Sequence, residues 1–564
     1  MKKFTFSQIE YVRPDFDMLK EECLSMVDKI KNAKEYSDIQ AVLKRSEQIF
    51  STATTMHTVA YIRNTLDTTD EFYEKEVEYN DEHFAALGVE STMLSKALLA
   101  CEYTDDINTE YGPEYLVKVR LEVDKFKDEL VPYIQQESKL TMRYQKLMAM
   151  AKIEFDGQTL NLYGIQKYFE HSDRATRKAA FKAYSDFYFS NEEEMEEIFG
   201  ELISIRNTMG QVLGYDNYLP LGYMQQGRID YGQKEVAAFR EQVRRELVPL
   251  CETLYTAQAK RIGVSKLFAY DERFIYPDGN ANPIGDEDYL VKEAQKMYHD
   301  MSPETAEFID FMIEHELMDL KNKPNKASTG YMTELTDYKA PYVFSCFNQT
   351  KFDIEVLTHE LGHAFAGYEA MRTQKCLEYH TPSTDIAEIH SMAMEQFSYP
   401  YAEQFFGENA DKFRFAHLQD AITFVPFGVA VDEFQHIMYE KPELTPKERT
   451  YEWHKLEKKY MPWRSYEDDE FMERGGYWYH KLHIFLYPFY YINYTLTTMG
   501  AMELKKRYAQ NKEETWKDYL ALCKAGGSTN YLSLLKLANL SVPFEEGSVA
   551  NAISYAKEEL LKQL

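Results

Sequence analysis

The chain has 564 residues, of which 44% are hydrophobic and 28% charged, and its formal net charge is −29. That length supplies more than one ordinary core, and a balance so acidic argues against nucleic acid or an anionic membrane as main partner, since both need Lys and Arg to neutralise phosphate. Six cysteines (Cys23, Cys101, Cys251, Cys346, Cys376 and Cys523) show no CxxC spacing, so neither a disulfide framework nor a cysteine metal site is expected.

The opening "MKKFTFSQIEYVRPDFD" lacks the apolar core of a signal peptide. The most membrane-like run, "HIFLYPFYYINYTL", is too short and too polar to span a bilayer. A cytoplasmic location is the expectation. From Val42 the positions Val42, Ser46, Ile49, Ala53, Met56 and Ala60 step by 4, 3, 4, 3 and 4, which places them on one helical face. The run "EEEMEEIFGELISIRN" continues the helical reading, its charges forming a solvated face. "YPDGNANPIGDED", Tyr276 to Asp288, is a loop by its Pro, Gly and Asn content. A second break is expected over "KNKPNKASTGYMTELTDYKAP".

After it, "YVFSCFNQ", Tyr342 to Gln349, is the best strand candidate in the chain. An edge strand here would pair with an extended peptide through backbone hydrogen bonds, leaving Ser345 and Phe347 near the substrate. Helices resume at Phe352 and run to the end, broken mainly at "KAGGSTN" and "SVPFEEG". The fold class is mostly α with a small sheet beside the helix that begins at Phe352.

That helix carries His359-Glu360-Leu361-Gly362-His363. Ile354, Leu357, Leu361, Phe365 and Tyr368 step by 3, 4, 4 and 3 and form its core stripe, while Glu355, His359 and His363 lie on roughly the opposite face. Two imidazoles one turn apart reach one ion, and Glu360 stands beside them without ligating it, a geometry that suits a single Zn²⁺. Two positions compete for third ligand. Glu369 has the offset of HExxHxxGxxE, but Ala366 stands where that pattern needs glycine and Gly367 is one residue late. The other is in "TPSTDIAEIHSMAMEQF", where Pro382 to Asp385 form a helix start. Glu388 and Glu395 then share a face, with Ala387 and Ser391 small enough for close helix approach. Glu388 is the first choice.

On these residues, together with "MGQVLGYDNYLPL", "HIFLYPFYYINYTLT" and "YLALCKAGGSTNYLSLLKLA", the chain resembles the thimet oligopeptidase and oligoendopeptidase F family of zinc peptidases, in its oligoendopeptidase F and Pz-peptidase-like branch. In that family a Glu lies 25 residues after the second His and another seven further on; Glu388 and Glu395 match both offsets. The resemblance implies a zincin-type helical ellipsoid with a deep central channel, residues 1–200 covering it and residues 201–564 carrying the metal site. It also implies zinc-dependent cleavage of internal bonds in short unfolded peptides, with Glu360 as general base. Glu355 and Glu395 are candidates to orient the imidazoles from behind. His483, Tyr487, Tyr490 and Tyr494 step by 4, 3 and 4, one stripe on a helix, and match a His and two Tyr that contact substrate in the family. Tyr494 is the first choice for the oxyanion donor. The departures are His483, one residue nearer the first Tyr than in the family, the missing family glycines, and Pro488, which implies a kink or a helix start. A zinc carboxypeptidase or dipeptidase would need an Arg clamping a free terminus, and none is identified; an idle peptide-binding helical protein is the remaining alternative.

Overall fold

The computed structural model describes residues 4–327 and 329–564. Helices dominate, with two small sheets, and among the described residues no single helix is long and apolar enough to cross a membrane. Internal packing divides the chain into two units, neither of them continuous in sequence. The first comprises Met1–Asp124, Asn282–Ala410 and Arg507–Leu540; the second comprises Lys125–Ala281, Asp411–Lys506 and Ser541–Leu564.

In the first unit, the helices Phe16–Lys31, Tyr36–Leu66 and Glu71–Ala100 bury an apolar cluster that includes Leu19, Cys23, Val42, Ile49 and Leu94. Asp15 and Asp70 start two of them by accepting backbone N–H bonds from Met18 and from Phe72 and Tyr73. The face stepped out from Val42 is buried at Val42, Ile49, Ala53, Met56 and Ala60. The loop expected from Tyr276 ends at Asp286, whose side chain caps the helix Glu287–Met301.

The second unit holds a hairpin of β1 (Ile153–Phe155) and β2 (Gln158–Leu160) among its helices. Its helix Glu192–Leu213 contains the acidic run read as a solvated face. Glu196 departs from that reading: it is buried, accepts from Arg449 Nε at 2.8 Å and from Tyr479 Oη at 2.6 Å. A buried carboxylate needs such partners, and Arg449 lies 253 residues away.

The sheet of the first unit has β3 (Met318–Asp319), β4 (Tyr331–Leu335) and β5 (Ala340–Phe344) in the order β3-β5-β4, with β3 parallel and β4 antiparallel to β5. β4 falls inside the stretch read as a break. β5 is the expected strand, but it is central, not an edge. Its residues are all buried, and Val343 faces Met318 on one side and Met332 on the other. Ser345 and Phe347 follow the strand's end, are buried, and give their N–H groups to the carbonyls of Asp319 and Leu320 at 3.0 Å each. Those donors are therefore spent within the protein. Among the described residues, β4 is the longer strand with one side unpaired.

Candidate metal centre

The HExxH segment lies within the helix Lys351–Thr373. Its entry is fixed by Asp353, whose carboxylate accepts from Asn348 N at 2.9 Å and Gln349 N at 2.7 Å. Ile354, Leu357, Leu361, Phe365 and Tyr368 are buried, as the periodicity requires, while His359, Glu360 and His363 keep partial exposure. A second helix, Thr384–Phe397, packs along the first. The approach is backbone to backbone: a Cβ added at Gly362 would lie 2.7 Å from Ser391 Cα and 3.0 Å from His390 O. Only glycine fits there, which makes Gly362 part of the site although it carries no chemistry.

This packing brings Glu388 to the histidines. Glu388 Oε2 is 3.2 Å from His359 Nε2 and 3.5 Å from His363 Nε2, and the three donor atoms lie within 4.8 Å of one another. Ser391 Oγ donates to the same carboxylate oxygen at 3.2 Å. Behind the pair, Glu395 Oε1 accepts from His359 Nδ1 at 2.5 Å. With the Nδ1 proton committed to Glu395, the Nε2 lone pair of His359 points at a carboxylate oxygen. That contact is favourable only with a positive charge between them, either a second proton or a metal ion. Burial disfavours the ionised form of Glu388, but the two imidazoles hold its carboxyl well below the usual carboxylate range. Two imidazole nitrogens and one carboxylate oxygen converging on one point fit Zn²⁺.

Glu360 makes no ligand contact. Burial raises its pKa above the ordinary glutamate value, against the opposing pull of His359 and His363. Glu355 is directed elsewhere: its Oε1 is 3.3 Å from Lys351 Nζ, and no hydrogen bond joins it to either imidazole among the described residues. Glu369 stands apart from the ligand cluster, buried and 3.9 Å from Lys524 Nζ. The helix continues unbroken to Thr373, so six residues of helical rotation carry Glu369 away from the face of His363. Gly367 lies against Glu334 Oε1, which would be 3.3 Å from an added Cβ.

Several supports gave no signal in the sequence. Lys326, fully enclosed, donates to Asp319 Oδ1 at 2.6 Å and to the carbonyls of Lys321 at 2.9 Å and Ser345 at 2.5 Å, tying the segment that precedes the metal helix. The helix Lys512–Ala525 packs on the metal helix. Tyr519 Oη donates to His390 O at 2.9 Å, Thr373 Oγ1 donates to Lys524 O at 2.8 Å, and Gly527 N donates to Tyr379 O at 2.9 Å. Gly526, at φ +50°, would place a Cβ 2.1 Å from Tyr379 O, so it too must be glycine.

In the second unit the aromatic stripe is not one helix. A short helix, Leu482–Leu486, ends before Tyr487, and the next begins at Ile492. Pro488 lacks an N–H and keeps Tyr487 out of the helical region, at φ −134° and ψ 69°, and Phe489 follows at φ +62°. The rings still gather. The His483 ring lies 6.0, 5.7 and 6.3 Å from those of Tyr487, Tyr490 and Tyr494, and Tyr490 is 5.5 Å from Tyr494. Burial, with Lys481 adding to it, lowers the His483 pKa to about 3, so its imidazole is neutral.

Comparison with known proteins gives a consistent set of likenesses. Residues 6–126 match the profile of the peptidase M3 N-terminal domain, and residues 167–282 and 290–551 match that of peptidase family M3. The structure of Pz peptidase A with an inhibitor is 41% identical, covers 99% of both chains and superposes with a TM-score of 0.92. An oligoendopeptidase F homolog of Lactococcus lactis subsp. lactis (strain IL1403) is 23% identical over 66% of this chain and 61% of its own length. One from Borreliella burgdorferi (strain ATCC 35210) is 21% identical over 100% of this chain and 94% of its own.

Proposed function

Because the chain belongs to peptidase family M3, we propose that it is a zinc-dependent oligoendopeptidase that cuts internal bonds of short, unfolded peptides. The observation that carries this reading is the convergence of His359, His363 and Glu388 on one point, with Glu360 beside them. His359, His363 and Glu388 would hold the ion, and Glu395 would fix the tautomer and orientation of His359. When bound, zinc supplies Lewis acidity toward water and the scissile carbonyl. Glu360 takes the proton from the attacking water and hands it to the departing amine. The Tyr494 hydroxyl is assigned as donor to the oxyanion, with Tyr487, Tyr490 and His483 as substrate contacts; their gathering into one cluster supports this. Neutral His483 would accept or donate a hydrogen bond but carry no charge. Peptide pairing is transferred from β5 to β4, since β5 is flanked on both sides.

The division into residues 1–200 as cover of a channel and 201–564 as metal-bearing body belongs to the same proposal, supported by the separate profiles matching 6–126 and the region from 167 onward. Such a channel limits substrates by length and foldedness. Six free thiols suit a reducing compartment such as the cytoplasm.

An internally quenched peptide blocked at both ends tests the reading. The expected result is cleavage at an internal bond that stops when metal is chelated; an intact peptide would instead favour an exopeptidase. Tyr494→Phe is expected to lower kcat by about 10²-fold, the scale of a lost oxyanion donor, with little change in KM. An unchanged kcat would return Tyr494 to packing alone.

A further inference from the structure

The metal helix has a strand running beside it. A Cβ added at Gly330, which leads into β4, would lie 3.3 Å from Val356 Cγ1, and one added at Gly367 would lie 3.3 Å from Glu334 Oε1. β4 thus passes along the helix from the level of Val356 to that of Gly367, and His359 and His363 lie between those levels. Successive side chains of a strand alternate between its two faces. Met332 and Glu334 share the face toward the metal helix, since Met332 Cε would be 3.7 Å from the same Cβ added at Gly367. Tyr331 takes the other face, its ring stacked 4.9 Å from that of Phe344 and its hydroxyl 2.6 Å from Thr65 Oγ1.

Glu334 therefore stands near the end of β4, one helical turn beyond His363, or about 6 Å along the helix axis. Gly367 lets the carboxylate lie there, because a side chain at that position would press on it. Glu334 keeps partial exposure. Thr381 Oγ1 donates to its Oε1 at 3.4 Å, and no Lys, Arg or His forms an ion pair with it among the described residues. Burial pushes its pKa up to about 7, opposed by the Thr381 contact. Unpaired acids are common in a chain with 93 Asp and Glu. What sets Glu334 apart is its place, on a strand with one side unpaired and next to the metal ligands.

A peptide pairing with the free side of β4 would continue the alternation of faces. Its residue opposite Glu334 would present its side chain on the same face, with the two Cβ atoms about 5 Å apart. At about 3.3 Å per residue of extended chain, one helical turn corresponds to about two residues of peptide. We propose that Glu334 selects a cationic group of the peptide substrate, a Lys or Arg side chain about two residues from the cleaved bond or a free amino terminus reaching the same place. The proposal rests on the peptide-substrate and β4-pairing readings above and adds to them a charge preference at one position. A cation there gains a charge-assisted hydrogen bond and removes the cost of holding the carboxylate ionised by itself in a half-buried place.

The test uses the full-length zinc-loaded protein and a set of internally quenched peptides, blocked at both ends, that differ at a single residue. That residue is lysine, norleucine or glutamate, placed in turn at each position flanking the cleaved bond. One further peptide carries norleucine and a free amino terminus. Lysine at one position is expected to raise kcat/KM over norleucine by about tenfold or more, the scale of one hydrogen bond to a charged group, with glutamate there the poorest. Glu334→Gln should bring the lysine-to-norleucine ratio close to one, while Glu334→Asp, which keeps the charge, should retain part of it; zinc content is the control for an intact centre. A gain with the free amino terminus in place of lysine, lost in Glu334→Gln, would assign the site to the terminal ammonium. A ratio near one at every position with no gain from the free terminus would overturn the proposal. So would a lysine advantage equal at all positions, or one that survives Glu334→Gln. If no peptide of the set is cleaved, the peptidase reading falls, and equilibrium binding of the same lysine and norleucine peptides to the wild type and to Glu334→Gln decides the site separately.

Discussion

Glu388→Ala is expected to leave the protein folded but without its metal. Glu388 Oε2 is the point on which both imidazoles converge, and two histidines alone give Zn²⁺ half of the four donors it normally takes. The substitution also removes the charge that makes a cation favourable at that spot. The fold should tolerate the change, because the two helices meet through Gly362 and the Ser391 backbone rather than through Glu388. Metal content by elemental analysis, with circular dichroism as the control for folding, reads the result. Glu369→Ala is the companion variant, with stoichiometric zinc expected. Zinc retained in the first variant and lost in the second would restore the HExxHxxGxxE ligand set and refute the assignment of Glu388.

Glu360→Gln carries the other large effect. The amide is nearly the size of the carboxylate and is no ligand, so zinc content and peptide affinity should stay close to wild type. What disappears is the group that accepts the proton of the attacking water. Positioned acid–base groups contribute about 10²–10⁴-fold, and kcat is expected to fall by that factor with little change in KM. Full activity in the variant would mean that another residue serves as base.

The metal helix was legible from sequence because everything it needs is local. A core stripe and a ligand stripe share one helix, and Ala366 already argues against Glu369. Glu388 was legible through a second helix start and the small residues Ala387 and Ser391, sharpened by the family spacing. What escaped was non-local. β4 sits among Lys, Thr and Gly residues and is a strand because β5 pairs with it. The central place of β5 depends on Met318–Asp319, too short to be seen alone. Glu196 looked solvated because Arg449 is distant in sequence. The tyrosine stripe kept its grouping of rings and lost its helix at Pro488, the one residue that had signalled a break.

The helix Lys512–Ala525 and the glycines after it have a consequence for how the protein is made. All three proposed ligands have left the ribosome once residue 388 is through, yet Tyr519, which braces the second ligand helix, follows Glu388 by 131 residues. At about 5–20 residues per second, the nascent chain spends roughly ten seconds with its histidines translated and their supporting wall unmade. Two floating helices hold zinc poorly and orient a base worse. The brace on the second ligand helix is thus supplied only after Tyr519 has been made, and a chain stopped short of it lacks that support.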